Sequence, residues 1–154
     1  MIREFAEKEV KPLATEVDEE ERFPVETVKK MAEIGLMGIP IPKEYGGAGG
    51  DNLMYAMAVE ELSRVCGTTG VILSAHTSLG TWPILQFGTD AQKQKYVPKM
   101  ASGEWLGAFG LTEPNAGTDA AGQQTTAVLD EATQEWVING SKIFITNSGY
   151  ADVY

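Results

Sequence analysis

The hydrophobic pattern of the chain changes its period near residue 104, and this change restricts the fold to two dissimilar parts. Before that point apolar residues recur at steps of three and four, as they do from Ile2 to Val17, which is typical of helices that bury one face. Beyond it apolar and polar residues alternate, which is typical of strands. The sequence therefore predicts an α+β protein, with an all-α helical domain at residues 1–104 and the start of a β domain at 105–154.

Three segments of the second part are predicted to be strands. Trp105–Phe109 is an apolar run, Gln123–Leu129 alternates with threonines as an exposed strand does, and 136–145 is strongly apolar. Asn139-Gly140 stands between apolar runs inside the third segment, and this dipeptide favours a two-residue type I′ turn. We therefore expect a hairpin that reverses at Asn139-Gly140.

Helix starts in the first part are indicated by side chains that can accept hydrogen bonds from free N–H groups. Asp51 or Asn52 is predicted to cap one helix, and Thr68 or Thr69 is predicted to cap the next. Thr89 begins a third helix with the spacing of a capping box. These signals predict several short helices rather than one long one.

The composition excludes several classes of partner. The chain has 154 residues and is 43% hydrophobic, which suffices for a packed core. Its net charge of −10 would repel a phosphate backbone and an anionic membrane surface, so we expect neither nucleic acid nor membrane as a partner. No apolar run reaches the length of a membrane span and no signal peptide is recognisable, so the sequence predicts a cytoplasmic protein.

Cys66 and His76 are the single cysteine and the single histidine of the chain. Cys66 can form no internal disulfide and follows a helical apolar pattern, so a buried, unreactive thiol is favoured over a nucleophile. His76 has no carboxylate or cysteine at metal-ligand spacing, and a packed or surface histidine is favoured over a ligand. The sequence therefore predicts no metal site.

The segment Gly107–Asp119 concentrates more polar chemistry than a turn requires. Thr112 and Thr118 supply hydroxyls, and Gly117 leaves nearby backbone N–H groups unshielded. Such donors suit a polar ring edge and a phosphate. Its two carboxylates, Glu113 and Asp119, could each be proposed as a general base, but their turn contexts favour structural roles.

This segment resembles the first signature of the acyl-CoA dehydrogenase family, and Phe144–Asn147 resembles the second flavin-contacting strand of that family. Weaker similarities lie upstream, at Glu44–Gly47, Ala58–Leu62 and Gln86–Thr89. The resemblance implies a helical bundle domain followed by the beginning of an antiparallel β-barrel domain. Because family members are more than twice as long, it also implies that the chain is a fragment of a larger enzyme.

The resemblance implies an FAD site to which both segments contribute. Phe109, Gly110, Leu111 and Thr112 would line the flavin, Gly117 and Thr118 would approach the pyrophosphate, and Phe144, Ile145 and Thr146 would cover the ring near N5. Thr118 would also touch the acyl-CoA substrate. The catalytic base of the family is a glutamate in a later domain, so no residue of this chain is assigned that role. Without the surrounding signatures, Phe109 and Phe144 would be interpreted as core residues of a sheet.

The implied function is short-chain acyl-CoA dehydrogenation, in which a butyryl-CoA-like thioester becomes a trans-2-enoyl-CoA. Electrons would pass to an electron-transferring flavoprotein, and the complete enzyme would be a bacterial homotetramer. One alternative keeps the fold but changes the electron acceptor, as in an acyl-CoA oxidase or a related flavin monooxygenase. Another is a helical interaction module without catalysis. The preference for short acyl chains depends on overall likeness rather than on any single residue.

Overall fold

The computed structural model describes all residues from Met1 to Tyr154. The chain divides into two compact units. The helical unit comprises Met1–Ala108 and Thr146–Tyr154, and the β unit comprises Phe109–Ile145. The predicted α+β class, with helices first and an antiparallel pair of strands after them, is confirmed. The domain boundary expected after residue 104 stays a prediction.

Seven α-helices lie in the helical unit. They are α1 Ile2–Phe5, α2 Ala14–Glu19, α3 Val25–Glu33, α4 Asn52–Ser63, α5 Gly67–Ser74, α6 Trp82–Phe87 and α7 Asp90–Ser102. The π-helical turns Ala6–Val10 and Ala75–Thr81 connect α1 towards α2 and α5 to α6. Short 3₁₀ turns lie at Lys11–Leu13, Leu36–Gly38 and Lys43–Tyr45. None of the helices combines the length and the apolar character that crossing a membrane would take.

Two of the three predicted helix caps are confirmed. Asp51 accepts a hydrogen bond from the Met54 N–H at 2.8 Å, and Thr89 forms the capping box with Gln92. The cap predicted at Thr68 or Thr69 is wrong, because α5 begins at Gly67 after an extended Cys66 with no side-chain cap. The Thr69 hydroxyl is buried and donates instead to Cys66 Sγ at 3.3 Å. This hydroxyl therefore binds a side chain three residues earlier and not a free N–H group of the helix.

The core of the helical unit lies where α4 and α5 pack together beside α1, α3 and the 3₁₀ turn that follows α3. Its largest fully buried side chains include Met31, Leu36, Met37, Leu62 and Leu73. Each such side chain contributes roughly 1.5–3 kcal/mol relative to an exposed position. Cys66 is buried in the same cluster, as the helical apolar pattern predicts.

The β unit contains one antiparallel pair of strands, β1 Thr126–Asp130 and β2 Glu135–Asn139. Thr126 pairs with Asn139 and Asp130 pairs with Glu135. The chain reverses between the strands, where the Asp130 carboxylate accepts from the Ala132 N–H at 2.9 Å. The hairpin predicted at Asn139-Gly140 is therefore wrong. The side chain of Asp130 closes the turn earlier, at residues 131–134.

A close contact, and not a turn, requires a glycine at residue 140. A Cβ built on Gly140 would lie 2.1 Å from Thr125 Oγ1, so only a glycine fits beside that residue. The strand predicted at Trp105–Phe109 is also absent, since the segment makes only one isolated parallel bridge, between Gly107 and Val153. The apolar composition of this segment therefore indicates burial but does not indicate a strand.

Candidate functional site

The first predicted flavin segment lies against the two residues that precede the second segment, within the β unit. The Ile143 N–H donates to the Thr112 carbonyl at 2.8 Å, and Lys142 Nζ donates to the Leu111 carbonyl at 2.9 Å. A Cβ on Gly110 would lie 3.2 Å from Lys142 Cγ, which is tighter than most real contacts. Residues 110–112 and 142–143 therefore run side by side without forming a strand ladder.

Glu113 is held by an ion pair and by backbone donors. Lys142 Nζ lies 2.7 Å from Glu113 Oε1, and the N–H groups of Gln124 and Thr125 donate to the same carboxylate at 2.6 and 3.1 Å. The hydrogen bond from Lys142, followed by those from residues 124 and 125, lowers the pKa of Glu113 to about 2. An ionised carboxylate with all these partners is a poor general base, so the structural role predicted for Glu113 is confirmed. The sequence analysis missed Lys142, whose partner lies 29 residues away.

Both flavin segments present hydrogen-bond donors that the chain itself does not use. No hydrogen bond within the chain comes from the hydroxyls of Thr112 and Thr118. Backbone N–H groups that likewise have no acceptor within the chain include those of Phe109, Gly110, Leu111, Thr112, Gly117, Thr118, Phe144 and Ile145. Other residues of the β unit, such as Asn115, Asp119 and Ser141, share this property. A set of unpaired N–H and O–H donors fits a ligand rich in carbonyl and phosphate oxygens. The residues present therefore fit an isoalloxazine edge and a pyrophosphate.

The two phenylalanines of these segments are not core residues of a sheet. Phe144 is 89% exposed and Phe109 is 41% exposed. Phe144 also has a φ of +56°, an uncommon conformation for a bulky residue. An exposed aromatic ring on a strained backbone is available for contact with a flat ligand.

Gly117 and Thr118 lie in an exposed bend. They follow a small loop in which Glu113 and Ala116 exchange backbone hydrogen bonds of 3.1 Å. A Cβ added at Gly117 would meet no atom within 4 Å, so no contact within the chain requires a glycine there. Close approach of a pyrophosphate to Gly117 stays a prediction, as do the flavin and substrate contacts of Thr118.

Thr146, the remaining predicted flavin residue, belongs to the helical unit. It is half-buried and lines a cleft of about 630 Å³ together with Asn147 and Tyr150. The Tyr150 ring stacks on Phe23 with ring centroids 4.1 Å apart. The Thr146 hydroxyl donates no hydrogen bond within the chain, so it is available to a ligand.

His76 and Asn147 are two buried polar residues that contact the same main-chain position, Gly107. The Gly107 N–H donates to His76 Nδ1 at 3.0 Å, and Asn147 Nδ2 donates to the Gly107 carbonyl at 3.0 Å. His76 Nε2 donates to the Met100 carbonyl at 3.0 Å, which fixes the neutral tautomer. Burial lowers the pKa of His76 to about 4, although the Met100 carbonyl opposes the shift. Of the packed and the surface histidine that the sequence left open, the structure shows the packed one. Asn147 was missed as a structural residue.

Two family models match the chain. The acyl-CoA dehydrogenase N-terminal domain matches residues 1–104, and the acyl-CoA dehydrogenase middle domain matches residues 108–154. Among curated relatives, the short-chain specific acyl-CoA dehydrogenase of Clostridium acetobutylicum is 67% identical over all 154 residues. The chain spans about two fifths of that relative, 40% of its length.

Solved structures of other proteins also superpose closely on this chain. Butyryl-CoA dehydrogenase of Megasphaera elsdenii superposes with a TM-score of 0.93 at 46% identity, over 99% of this chain and 41% of that one. A structure described for the electron transferring flavoprotein of Acidaminococcus fermentans gives 0.93 at 53% identity, over 98% and 39%. An acyl-CoA dehydrogenase of Bacillus anthracis complexed with FAD gives 0.91 at 41% identity, over 99% and 27%.

Proposed function

We propose that this chain, which belongs to the acyl-CoA dehydrogenase family, is the N-terminal part of an enzyme that oxidises the Cα–Cβ bond of a short-chain acyl-CoA. The observation that carries the proposal is the set of unpaired donors on the exposed segments around Thr112 and Phe144. The short-chain relative from Clostridium acetobutylicum supports the substrate class. The product would be a trans-2-enoyl-CoA.

FAD is the cofactor that these segments would hold. The residues proposed to contact it are Phe109, Gly110, Leu111, Thr112, Gly117, Thr118, Phe144, Ile145 and Thr146. The relative of known structure that is complexed with FAD supports this choice. When bound, the flavin would accept the hydride that leaves the substrate, and with it both electrons of the oxidation.

The residues of this chain would bind the cofactor and stabilise the charge that it gains. Hydroxyls of Thr112 and Thr146 aimed at the ring edge would favour the reduced state, since they donate to atoms that become more negative. Each neutral hydrogen bond contributes only about 0.5–1.5 kcal/mol, so several must act together. The proton-abstracting base is proposed to lie outside these 154 residues, and Thr118 is proposed to contact the acyl-CoA.

The complete enzyme would pass its electrons to an electron-transferring flavoprotein. The match to a structure described for such a flavoprotein supports this partner. The proposal also places the enzyme in the bacterial cytoplasm as a homotetramer. An electron-acceptor assay separates it from an oxidase of the same fold, because the oxidase would produce hydrogen peroxide from oxygen.

Two experiments test the proposal. Reading the coding sequence beyond the Tyr154 codon should reveal a further helical domain with a glutamate base, and a stop codon there would favour the non-catalytic alternative.

In the full-length enzyme, Thr146→Val should lower FAD retention or slow flavin reduction by butyryl-CoA. Thr126→Val, on the exposed strand β1, is the matched control. Parent-level retention and reduction in Thr146→Val would refute the role of Thr146.

A further inference from the structure

We propose that His76 and Asn147 form a polar clamp on the main chain of Gly107, and that they act as positioning residues for the predicted flavin segments. The inference rests on the proposed function. It assigns a role to two buried side chains that the proposed function does not use. The clamp is defined as these two side chains together with the N–H and carbonyl of Gly107.

Asn147 suits its position by conformation and by hydrogen bonding. Its φ is +69°, in the left-handed region that asparagine tolerates better than most residues. Its Nδ2 donates to the carbonyls of Gly107 at 3.0 Å and Ile72 at 3.3 Å. The side chain is 6% exposed, so breaking these bonds would leave buried carbonyls without partners.

His76 secures Gly107 from the other side. It accepts the Gly107 N–H and donates to the Met100 carbonyl, and it is fully buried. The backbone of Gly107 also lies directly on Gly80, since a Cβ on Gly80 would come within 2.9 Å of Gly107 Cα. Gly107 therefore has little freedom to move relative to the π-helical turn Ala75–Thr81.

The clamp lies where the chain leaves the helical unit and where it returns. Gly107 precedes Ala108, the last residue before the β unit, and Asn147 follows Thr146, the first residue after it. A single cluster of hydrogen bonds thus fixes both crossing points on the helical unit. A shift of Asn147 would move Thr146, and small misplacements of a contacting group can cost about a hundredfold in rate.

The test uses three variants of the full-length enzyme with FAD bound. Asn147→Asp keeps the shape but replaces the donor by oxygens that face two carbonyls. Asn147→Gly keeps the positive φ and removes the donor. Asn139→Asp, at the exposed end of β2, is the control. The measurements are the melting temperature and the rate constant of flavin reduction at saturating butyryl-CoA, per bound FAD.

The clamp predicts a fall in the reduction rate of about ten- to a hundredfold in Asn147→Asp, a smaller fall in Asn147→Gly and parent behaviour in Asn139→Asp. A lower melting temperature with an unchanged rate of flavin reduction per bound FAD would show that Asn147 only stabilises the fold. That result would overturn the proposal. If the parent enzyme itself bound no FAD, the proposed function would fail instead.

Hydrogen exchange on the unmodified enzyme tests the clamp without relying on any variant to fold. The Gly107 amide should exchange as slowly as amides of the helical core, because its acceptor is a buried imidazole. The Gly117 amide, which donates no hydrogen bond within the chain, is the fast-exchanging reference. Equal exchange rates at Gly107 and Gly117 would contradict the clamp.

Discussion

The helical unit and the β unit differ in how they use their apolar residues. Leu62 and Leu73 of the helical unit are fully buried, whereas every residue of β1 and β2 is exposed. Cross-strand pairing places Leu129 beside Trp136 on one open face of the hairpin. The helical unit is therefore stabilised by its own core, while a two-stranded hairpin alone is marginal in water.

The largest expected effect comes from the helical core. Leu73→Ala should lower the free energy of unfolding by about 2–5 kcal/mol, because it leaves a cavity among fully buried side chains. Ile138→Ala on β2 should change it by no more than about 0.5 kcal/mol, since Ile138 is 70% exposed. Urea unfolding followed by far-UV circular dichroism measures both. If both substitutions lowered the free energy of unfolding equally, the two units would not differ in how burial of apolar side chains stabilises them.

The next effect is a pH dependence from His76. Its pKa falls to about 4 in the folded protein from 6.5, so the unfolded chain binds more protons between these values. Stability is fully present above pH 6.5 and should decline towards pH 4, by at most about 3 kcal/mol. His76 is the only histidine. Urea unfolding between pH 5 and 7 should lose this slope in His76→Gln, and an unchanged slope would contradict the assignment.

A smaller effect is expected in the β unit, from the pair of Glu113 and Lys142. The folded pKa of Glu113 is about 2, below its ordinary 4.5, so its contribution is present above pH 4.5 and is lost as the pH falls towards 2. Lys142→Met should raise the pKa of Glu113, because it removes the main cause of the shift. NMR titration of the carboxyl carbon measures this change. A pKa that stays near 2 would show that the backbone donors suffice.

The smallest effect should come from the surface of the helical unit. Arg3 and Glu61 form an ion pair of 2.5 Å, but the Arg3 side chain is 75% exposed. Solvent and salt screen such pairs, so Arg3→Ala should leave the melting temperature nearly unchanged. Differential scanning calorimetry at low and high salt provides the measurement. A large, salt-dependent loss would mean that exposed charges, as well as the core, stabilise this unit.

Local signals predicted local structure well. The side chain of Asp51 and the capping box at Thr89 act within three residues, and both were predicted from the sequence. The turn at Asn139-Gly140 was wrong because Asp130 closes an earlier turn. The contacts of Lys142 and Asn147 were missed because their partners lie 29 and 40 residues away.

The sequence by itself determined that a helical part precedes a β part, the family, and the segments that carry the predicted flavin contacts. These follow from periodicity and motifs, which are properties of neighbouring residues. Only the tertiary structure decided that Glu113 forms an ion pair with Lys142 and that His76 and Asn147 meet at Gly107. Such pairings depend on how distant parts of the chain pack, because a buried polar group must find its partner wherever the fold brings one.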